Sequence, residues 1–411
     1  MNGGALIVGA SLGGLRLAEQ LRAAGYSGPM TIAGSEPHMP YNRPPLSKDT
    51  LFAAAAGELI GDPKTGLLAG LAFPLRSSIA DIQWLLGSAA VSADLDRREV
   101  ALADGRKLAY SVLGIATGLS PRRLPMPGAE PDRFVLRTIE DARRLGAALR
   151  PEARVVIAGG GFIGCEVAAT ARKLGCRVTV VEPLALPMCG VIGMELAQAF
   201  RLYHESHGVE FRLGVSVSGI ETRSSAPGRL SAVMLSDGSS LEANVLVEAI
   251  GSTCNVDWLS GNGLDLSDGV LTDHWMRVEG RPDVVAAGDV ARFPIPRYGP
   301  APRRIEHWSI SGLTARRAAA ALNATLSRSP LAESAFDPMP SFWTDQFDVR
   351  LQSFGIPALA ERNAILEGTF DELGKPGRGL AAGYWRGDTL VGVICINLAA
   401  AQLVTYKAML G

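Results

Sequence analysis

Two strand–turn–helix units, each built on a glycine-rich turn, constrain this chain more than any other feature. The first turn is Gly9-Ala10-Ser11-Leu12-Gly13-Gly14, directly after the apolar run Ala5-Leu6-Ile7-Val8. The second is Gly159-Gly160-Gly161-Phe162-Ile163-Gly164, after Val155-Val156-Ile157-Ala158. In such a turn the first glycine allows the tight bend and the second lets backbone amides approach a pyrophosphate. The third lets the following helix pack close to the strand, with its N-terminal amides and dipole facing the phosphates. The second turn carries the full Gly-x-Gly-x-x-Gly pattern. The first has Ser11 at the middle position, a small residue whose hydroxyl can itself donate to phosphate. One motif alone is weak; two in strand–turn–helix context predict two dinucleotides bound side by side, and hence a hydride passing between them.

At 411 residues the chain has room for about three domains. Hydrophobic residues make up 47% and charged residues 20%, the composition of a soluble globular protein with an ample core. Forty Lys and Arg against 41 Asp and Glu leave little net charge, which argues against nucleic acid as the main partner. The first strand begins near Ala5, leaving no room for a signal peptide, and no apolar run approaches the ~18 residues of a membrane helix. The expected setting is cytoplasmic, with no membrane association. The five cysteines (Cys165, Cys176, Cys189, Cys254 and Cys395) form no Cys-x-x-Cys pair, so neither a dithiol centre nor a metal site is readable. Redox chemistry in this chain therefore has to be carried by a bound cofactor.

The expected fold class is α/β: two Rossmann-like dinucleotide-binding domains and a C-terminal α+β domain, a glutathione-reductase-like arrangement. A helix is expected over Leu15–Ala24 and a strand over Met30–Ala33, followed by a proline-dense loop around Pro37–Pro45. Short strands follow, with Asp104-Gly105 as a hairpin signal, then an apolar strand over Leu113–Ala116. The second unit repeats the design, with a helix from Phe162 to Leu174 and a strand from Arg177 to Glu182. Val245–Ile250 returns as a buried strand ahead of Gly251, and Val284–Ala287 is a short one before Gly288-Asp289. The expected boundaries are 1–119 and 244–328 for the two pieces of a first, FAD-binding domain. Those for the NADH-binding domain are 120–243, and those for the C-terminal domain 329–411.

Carboxylates select the cofactors. A carboxylate at the end of the second strand accepts hydrogen bonds from adenosine ribose hydroxyls. Glu182 lies 23 residues after Gly159, near the spacing of about 20 that this geometry requires. It would repel a 2′-phosphate, and Pro183–Pro187 offer no Arg or Lys to bind one, so NADH is preferred over NADPH. Glu36, 27 residues after Gly9, is assigned to the FAD ribose, with Ser35 competing. In Ala286-Ala287-Gly288-Asp289, a strand ending in Gly-Asp can set Asp289 against a ribityl hydroxyl, with the amides of a following helix facing the flavin pyrophosphate.

Together these stretches resemble the FAD-containing NADH:ferredoxin reductases of bacterial oxygenase systems, the group of putidaredoxin, rubredoxin and rhodocoxin reductases. The resemblance spans nearly the whole chain. Its most specific parts are Glu36-Pro37-His38-Met39-Pro40-Tyr41-Asn42-Arg43-Pro44-Pro45-Leu46-Ser47-Lys48 and Phe342-Trp343-Thr344-Asp345-Gln346-Phe347-Asp348. Ala116-Thr117-Gly118, Gly159 through Glu166, Ala287-Gly288-Asp289 and Glu306-His307-Trp308 complete it. It implies that Arg43 and Pro44 contact FAD and that Lys48 sits beside the reactive ring nitrogen, paired with Glu166 along the hydride path. It further implies that Trp308, with its neighbour His307, and Trp343 wall the flavin. The reduced flavin would release single electrons to a two-iron two-sulfur ferredoxin and through it to an oxygenase.

The chain departs from the pattern in two places. Ser309-Ile310-Ser311 stands where the group has Asn-Ala after its Trp, and Met188-Cys189-Gly190-Val191 lacks an arginine often found after the NADH-binding glutamate. An acidic ferredoxin calls for a local basic patch; Arg303 and Arg304, just before Glu306-His307-Trp308, are the expected docking residues, followed by Arg316. Rival readings keep the fold but change the acceptor to rubredoxin, a quinone or oxygen. The disulfide, coenzyme A disulfide, peroxidase and oxidase branches need a reactive cysteine near the flavin, and Tyr41-Asn42-Arg43-Pro44 offers none. A rival of another class is a redox-responsive interaction protein like the apoptosis-inducing relatives.

Overall fold

Runs that are apolar at every position, such as Ala5–Val8 and Val155–Ala158, cannot alternate between core and water. They belong in a parallel sheet covered on both faces. The computed structural model, which describes residues 3–58, 66–331 and 334–411, places them there. The chain divides into two compact units. One comprises Met1–Asn42, Ala72–Ser120 and Thr253–Ser341; the other comprises Arg43–Leu71, Pro121–Ser252 and Phe342–Gly411.

In the first unit a six-stranded sheet runs in the order Arg277–Val278, Arg281–Ala286, Val112–Ile115, Ala5–Val8, Met30–Ala33, Gln83–Leu85. Pairing is parallel except at the first edge. All four residues of Ala5–Val8 and of Val112–Ile115 are buried. The helix Leu12–Ala23 packs against a 20-residue helix, Trp308–Ser327, which the sequence reading did not anticipate. A three-stranded antiparallel meander, Ala90–Asp94, Glu99–Leu102 and Lys107–Ala109, turns at Asp104-Gly105.

The helix expected directly after Asp289 does not form. Gly288–Val290 is a single 3₁₀ turn, and Ala291–Phe293 then pairs as a strand with Arg303–Arg304. Pro294 and Pro296 explain this, because each removes a backbone donor that a continuing helix would need.

The second unit holds a five-stranded parallel sheet, in the order Val209–Leu213, Arg177–Glu182, Arg154–Ala158, Val245–Glu248, Arg133–Phe134. The helix Phe162–Lys173 follows the second glycine turn. The helix Ile139–Ala148 enters through a capping box at Thr138, whose hydroxyl accepts from the Asp141 amide. Between Glu182 and Val245 lie elements not expected from sequence: the helix Met194–Ser206 and an antiparallel meander of Val217–Arg223, Ala226–Leu235 and Ser240–Glu242. A five-stranded sheet, ordered Ser341–Gln346, Val349–Gly355, Thr389–Ile396, Leu380–Arg386, Arg362–Glu367, leads to a terminal helix, Ala400–Ala408. Its face joins one apolar core with Cys165, Met188, Ile192, Leu196 and Phe200, through Val349, Leu351, Tyr384 and Ile394. That shared core seats Thr344 and Gln346 beside the helix that carries Glu166.

Candidate functional site

Each glycine turn folds as its residues require. A side chain on Gly14 would run into the Gly9 carbonyl oxygen, and one on Gly164 into that of Gly159, so only hydrogen lets each helix approach its strand. Gly9 and Gly159 take φ of 122° and 102°, conformations that side-chain-bearing residues rarely adopt. Gly161 differs: nothing lies within 4 Å of where its Cβ would be. It faces open space at the amide end of the helix, which is the room a pyrophosphate needs. Gly161→Val is therefore expected to weaken NADH binding at least about tenfold while leaving the melting temperature nearly unchanged. Gly164→Ala should instead destabilise the fold by about 1–3 kcal/mol. Thermal unfolding and nucleotide titration of the two variants separate these effects.

Glu182 ends its strand in a buried position, 7% exposed. Its Oε2 accepts the Gly160 amide at 2.6 Å and its Oε1 accepts the Leu184 amide at 2.9 Å. Each oxygen retains a lone pair, so the carboxylate can also accept from a ribose diol. In the first unit, the Tyr41 hydroxyl donates to Glu36 Oε2. Thr117 and Asn255 lock the end of Val112–Ile115, the Asn255 amide donating to the Thr117 carbonyl at 2.9 Å and the Thr117 hydroxyl to the Asn255 carbonyl at 2.7 Å. The Gly288 amide is taken by the Thr314 hydroxyl at 2.9 Å. Asp289 is half-buried.

The Lys48–Glu166 pair is present, with Nζ 2.7 Å from Oε2 and side-chain exposures of 19% and 9%. Lys48 stands between the 3₁₀ turn Pro44–Ser47 and the helix Asp49–Ala55, and Glu166 lies on the buried face of Phe162–Lys173. Two further donors meet the carboxylate: Ser47 Oγ reaches Oε2 at 2.5 Å and Thr344 Oγ1 reaches Oε1 at 2.7 Å. Thr170 holds Ser47 in turn, its hydroxyl donating to the Ser47 carbonyl at 2.7 Å. Sequence reasoning missed Ser47, Thr170 and Thr344 as members of this cluster. Arg43, in the same unit, donates to the Arg137 carbonyl.

Trp308 opens its helix, is 41% exposed and donates from Nε1 to Asn42 Oδ1 at 3.1 Å. Burial pushes the neighbouring His307 down to about 4, so its imidazole is neutral near pH 7. Trp343 is half-buried on Ser341–Gln346, and its neighbour Phe342 packs on Phe162 with ring centroids 4.9 Å apart. Cys165 is fully buried, and desolvation pushes its thiol far above the usual range, so it supplies no thiolate beside Glu166.

A family description, pyridine nucleotide-disulphide oxidoreductase, matches residues 5–315, and a second, reductase C-terminal, matches residues 341–411. The chain belongs to the pyridine nucleotide-disulphide oxidoreductase family. Among its relatives, rhodocoxin reductase of Rhodococcus erythropolis is 34% identical over 361 residues, covering 88% of this chain and 80% of the relative. The anthranilate 1,2-dioxygenase system ferredoxin–NAD(+) reductase component of Burkholderia cepacia is 33% identical over an alignment 426 positions long, covering 98% of this chain and 94% of the relative. Among solved structures, a covalent putidaredoxin reductase–putidaredoxin complex matches with a TM-score of 0.86 at 30% identity, over 99% of this chain and 93% of the matched one.

Membership makes the chain a flavin-dependent, pyridine-nucleotide-linked oxidoreductase and accounts for both glycine turns. Among the described residues, no helix is long and apolar enough to cross a membrane, and no group of three or more His, Cys, Asp or Glu could hold a metal ion. The three arginines expected at a docking surface differ in their surroundings. Arg304 is only 14% exposed and is engaged by Asp268 at 2.8 Å and Glu306 at 2.7 Å. Arg303 is half-buried and donates to the Tyr298 carbonyl. Arg316, two turns along the helix from Trp308, is exposed.

Proposed function

We propose that this protein is an NADH-dependent ferredoxin reductase, taking a hydride from NADH and delivering electrons singly to a two-iron two-sulfur ferredoxin that supplies an oxygenase in the cytoplasm. The observation that carries the reading is that each glycine turn forms with a carboxylate near the end of its neighbouring strand, Glu36 just past it in one unit and Glu182 as its last residue in the other. One chain thereby offers two separate dinucleotide sites. Its relatives are named as a rhodocoxin reductase, a dioxygenase-system ferredoxin–NAD(+) reductase component and a putidaredoxin reductase.

The residues fit FAD at one site and NADH at the other. FAD would be held by Gly9, Ser11, Gly13 and Gly14, by Glu36, by Ala116–Gly118 and by Gly288-Asp289. Arg43, Pro44, His307, Trp308 and Trp343 would serve its ring. NADH would be held by Gly159, Gly161, Phe162, Ile163 and Gly164, by Glu182 and by Gly251. Bound FAD supplies the change from two-electron to one-electron chemistry. The protein's own part is to bind, orient and exclude water, and Lys48, held in place by Glu166, is the residue assigned to the ring.

Cytochrome c reduction with NADH or NADPH, with and without a two-iron ferredoxin, tests this reading. The expected result is a strong NADH preference and a large ferredoxin-dependent gain; equal rates without ferredoxin would replace it with an oxidase or diaphorase. Arg316→Glu is expected to lower ferredoxin reduction about tenfold at low salt, with a smaller effect at high salt, and to leave flavin reduction by NADH unchanged. An unaltered rate in this variant would remove Arg316 from the docking surface.

A further inference from the structure

Glu166 sits at the end of a chain of hydrogen bonds that the proposed reaction does not by itself call for. Thr344 reaches Glu166 at 2.7 Å, Gln346 Nε2 reaches the Thr344 hydroxyl at 3.1 Å, and Gln346 Oε1 lies 2.7 Å from His204 Nε2. His204 and Gln346 are 0% exposed and Thr344 is 1% exposed. All four residues belong to one unit.

The direction of the chain follows from what each group can give. An ionised carboxylate only accepts, so the Thr344 proton must go to Glu166. The Thr344 oxygen is then free only to accept, so Gln346 must turn its amide nitrogen toward it. That leaves the Gln346 carbonyl oxygen facing His204, which must carry its proton on Nε2. His204 Nδ1 is buried without a hydrogen-bond partner, among the rings of Tyr203, Phe211 and Phe347. A proton there would bury an unpaired cation, and burial accordingly pushes His204 down to about 4. At neutral pH only one tautomer satisfies the chain. Buried polar groups this costly to desolvate need a compensating role. The same Gln346 nitrogen touches the sulfur of Met188 at 3.4 Å, and the Met188 amide donates to the Gly160 carbonyl at 3.0 Å within the second glycine turn.

We infer that Gln346, its carbonyl oxygen held by His204, is a positioning residue that aims the Thr344 hydroxyl at Glu166 and so fixes the carboxylate against Lys48. The inference rests on the assignment of Lys48 and Glu166 to the flavin ring. Neither Gln346 nor His204 reaches the reacting atoms; both act through Thr344.

The test is a double-mutant cycle on the FAD-loaded enzyme, read by anaerobic single-turnover flavin reduction. Gln346→Met should slow reduction about tenfold, as expected for one lost buried hydrogen bond, while half-saturation by NADH stays within about twofold. In a Lys48→Met background the same substitution should have no further effect. Thr344→Val should reproduce the loss and Thr344→Ser should restore the rate, which keeps the proposal falsifiable if Gln346→Met folds poorly. A crystal structure of Gln346→Met gives a readout independent of activity: the Lys48–Glu166 separation should open beyond hydrogen-bond range. Losses that multiply in the double variant, an intact pair in the crystal, or equal rates for Thr344→Val and Thr344→Ser would overturn the inference. A wild-type flavin that NADH fails to reduce would instead defeat the functional assignment, and the crystal readout would still judge the positioning role.

Discussion

Lys48→Met is expected to lower the rate of flavin reduction by NADH about a hundredfold, the scale of loss seen when one preorganised charge is removed from a reacting centre. It should also destabilise the protein by about 3 kcal/mol, because it strands a buried carboxylate. The geometry separates the two effects. Glu166 is 7% exposed and would keep the donors Ser47 and Thr344 but lose its only cation within reach among the described residues. The double variant Lys48→Met with Glu166→Leu removes the stranded charge and should recover most of the stability while staying slow. Single-turnover kinetics and thermal unfolding on all three proteins measure both quantities. A folded, FAD-loaded Lys48→Met enzyme reduced at the wild-type rate would exclude Lys48 from the hydride path.

Glu182→Ser is expected to reduce kcat/KM for NADH ten- to a hundredfold, the range for lost hydrogen bonds to a charged group. Its effect on NADPH should be much smaller, because the repulsion of a 2′-phosphate disappears with the carboxylate, so the preference between the two nucleotides should collapse. Part of the NADH loss comes from the protein itself. Glu182 ties the Gly160 amide of the turn to the Leu184 amide of the following loop, and serine is too short to span both. Steady-state kinetics with both nucleotides check this. An unchanged ratio between them would mean that some other group reads the ribose.

The parts of the site legible in the sequence are those in which backbone conformation demands a residue type. Both glycine turns belong here, since Gly9 and Gly159 have positive φ and Gly14 and Gly164 allow no side chain. So does Glu182, whose distance from the turn is set by the length of one helix and one strand. The Lys48–Glu166 pair came from family resemblance, because nothing local links residues 118 positions apart.

The supporting shell was hidden for a physical reason. Thr344 and Gln346 lie two residues apart on Ser341–Gln346 and so share a strand face, yet polar residues at that spacing read as solvent-facing. His204 sits on the buried side of Met194–Ser206 with Leu196, Ala197 and Phe200, where its polar type breaks the apolar pattern that would have revealed the helix. Their partners are 142 and 178 residues away along the chain. The meander after Val209 carried one overlooked signal, Asp237-Gly238 between Leu235 and Ser240, a hairpin turn like the one read correctly at Asp104-Gly105. The failed helix after Asp289 shows the converse: a family motif suggested it, while Pro294 and Pro296 already forbade it.

Anaerobic rapid mixing of the yellow protein, first with NADH and then with oxidised two-iron ferredoxin, tests the proposed electron path. The expected result is loss of the flavin absorbance with NADH at a rate no slower than turnover, very little loss with NADPH, and return of the absorbance as ferredoxin is reduced. A flavin that bleaches with NADH but is reoxidised only when air is admitted would contradict the ferredoxin assignment, and equal bleaching by NADPH would contradict the role given to Glu182.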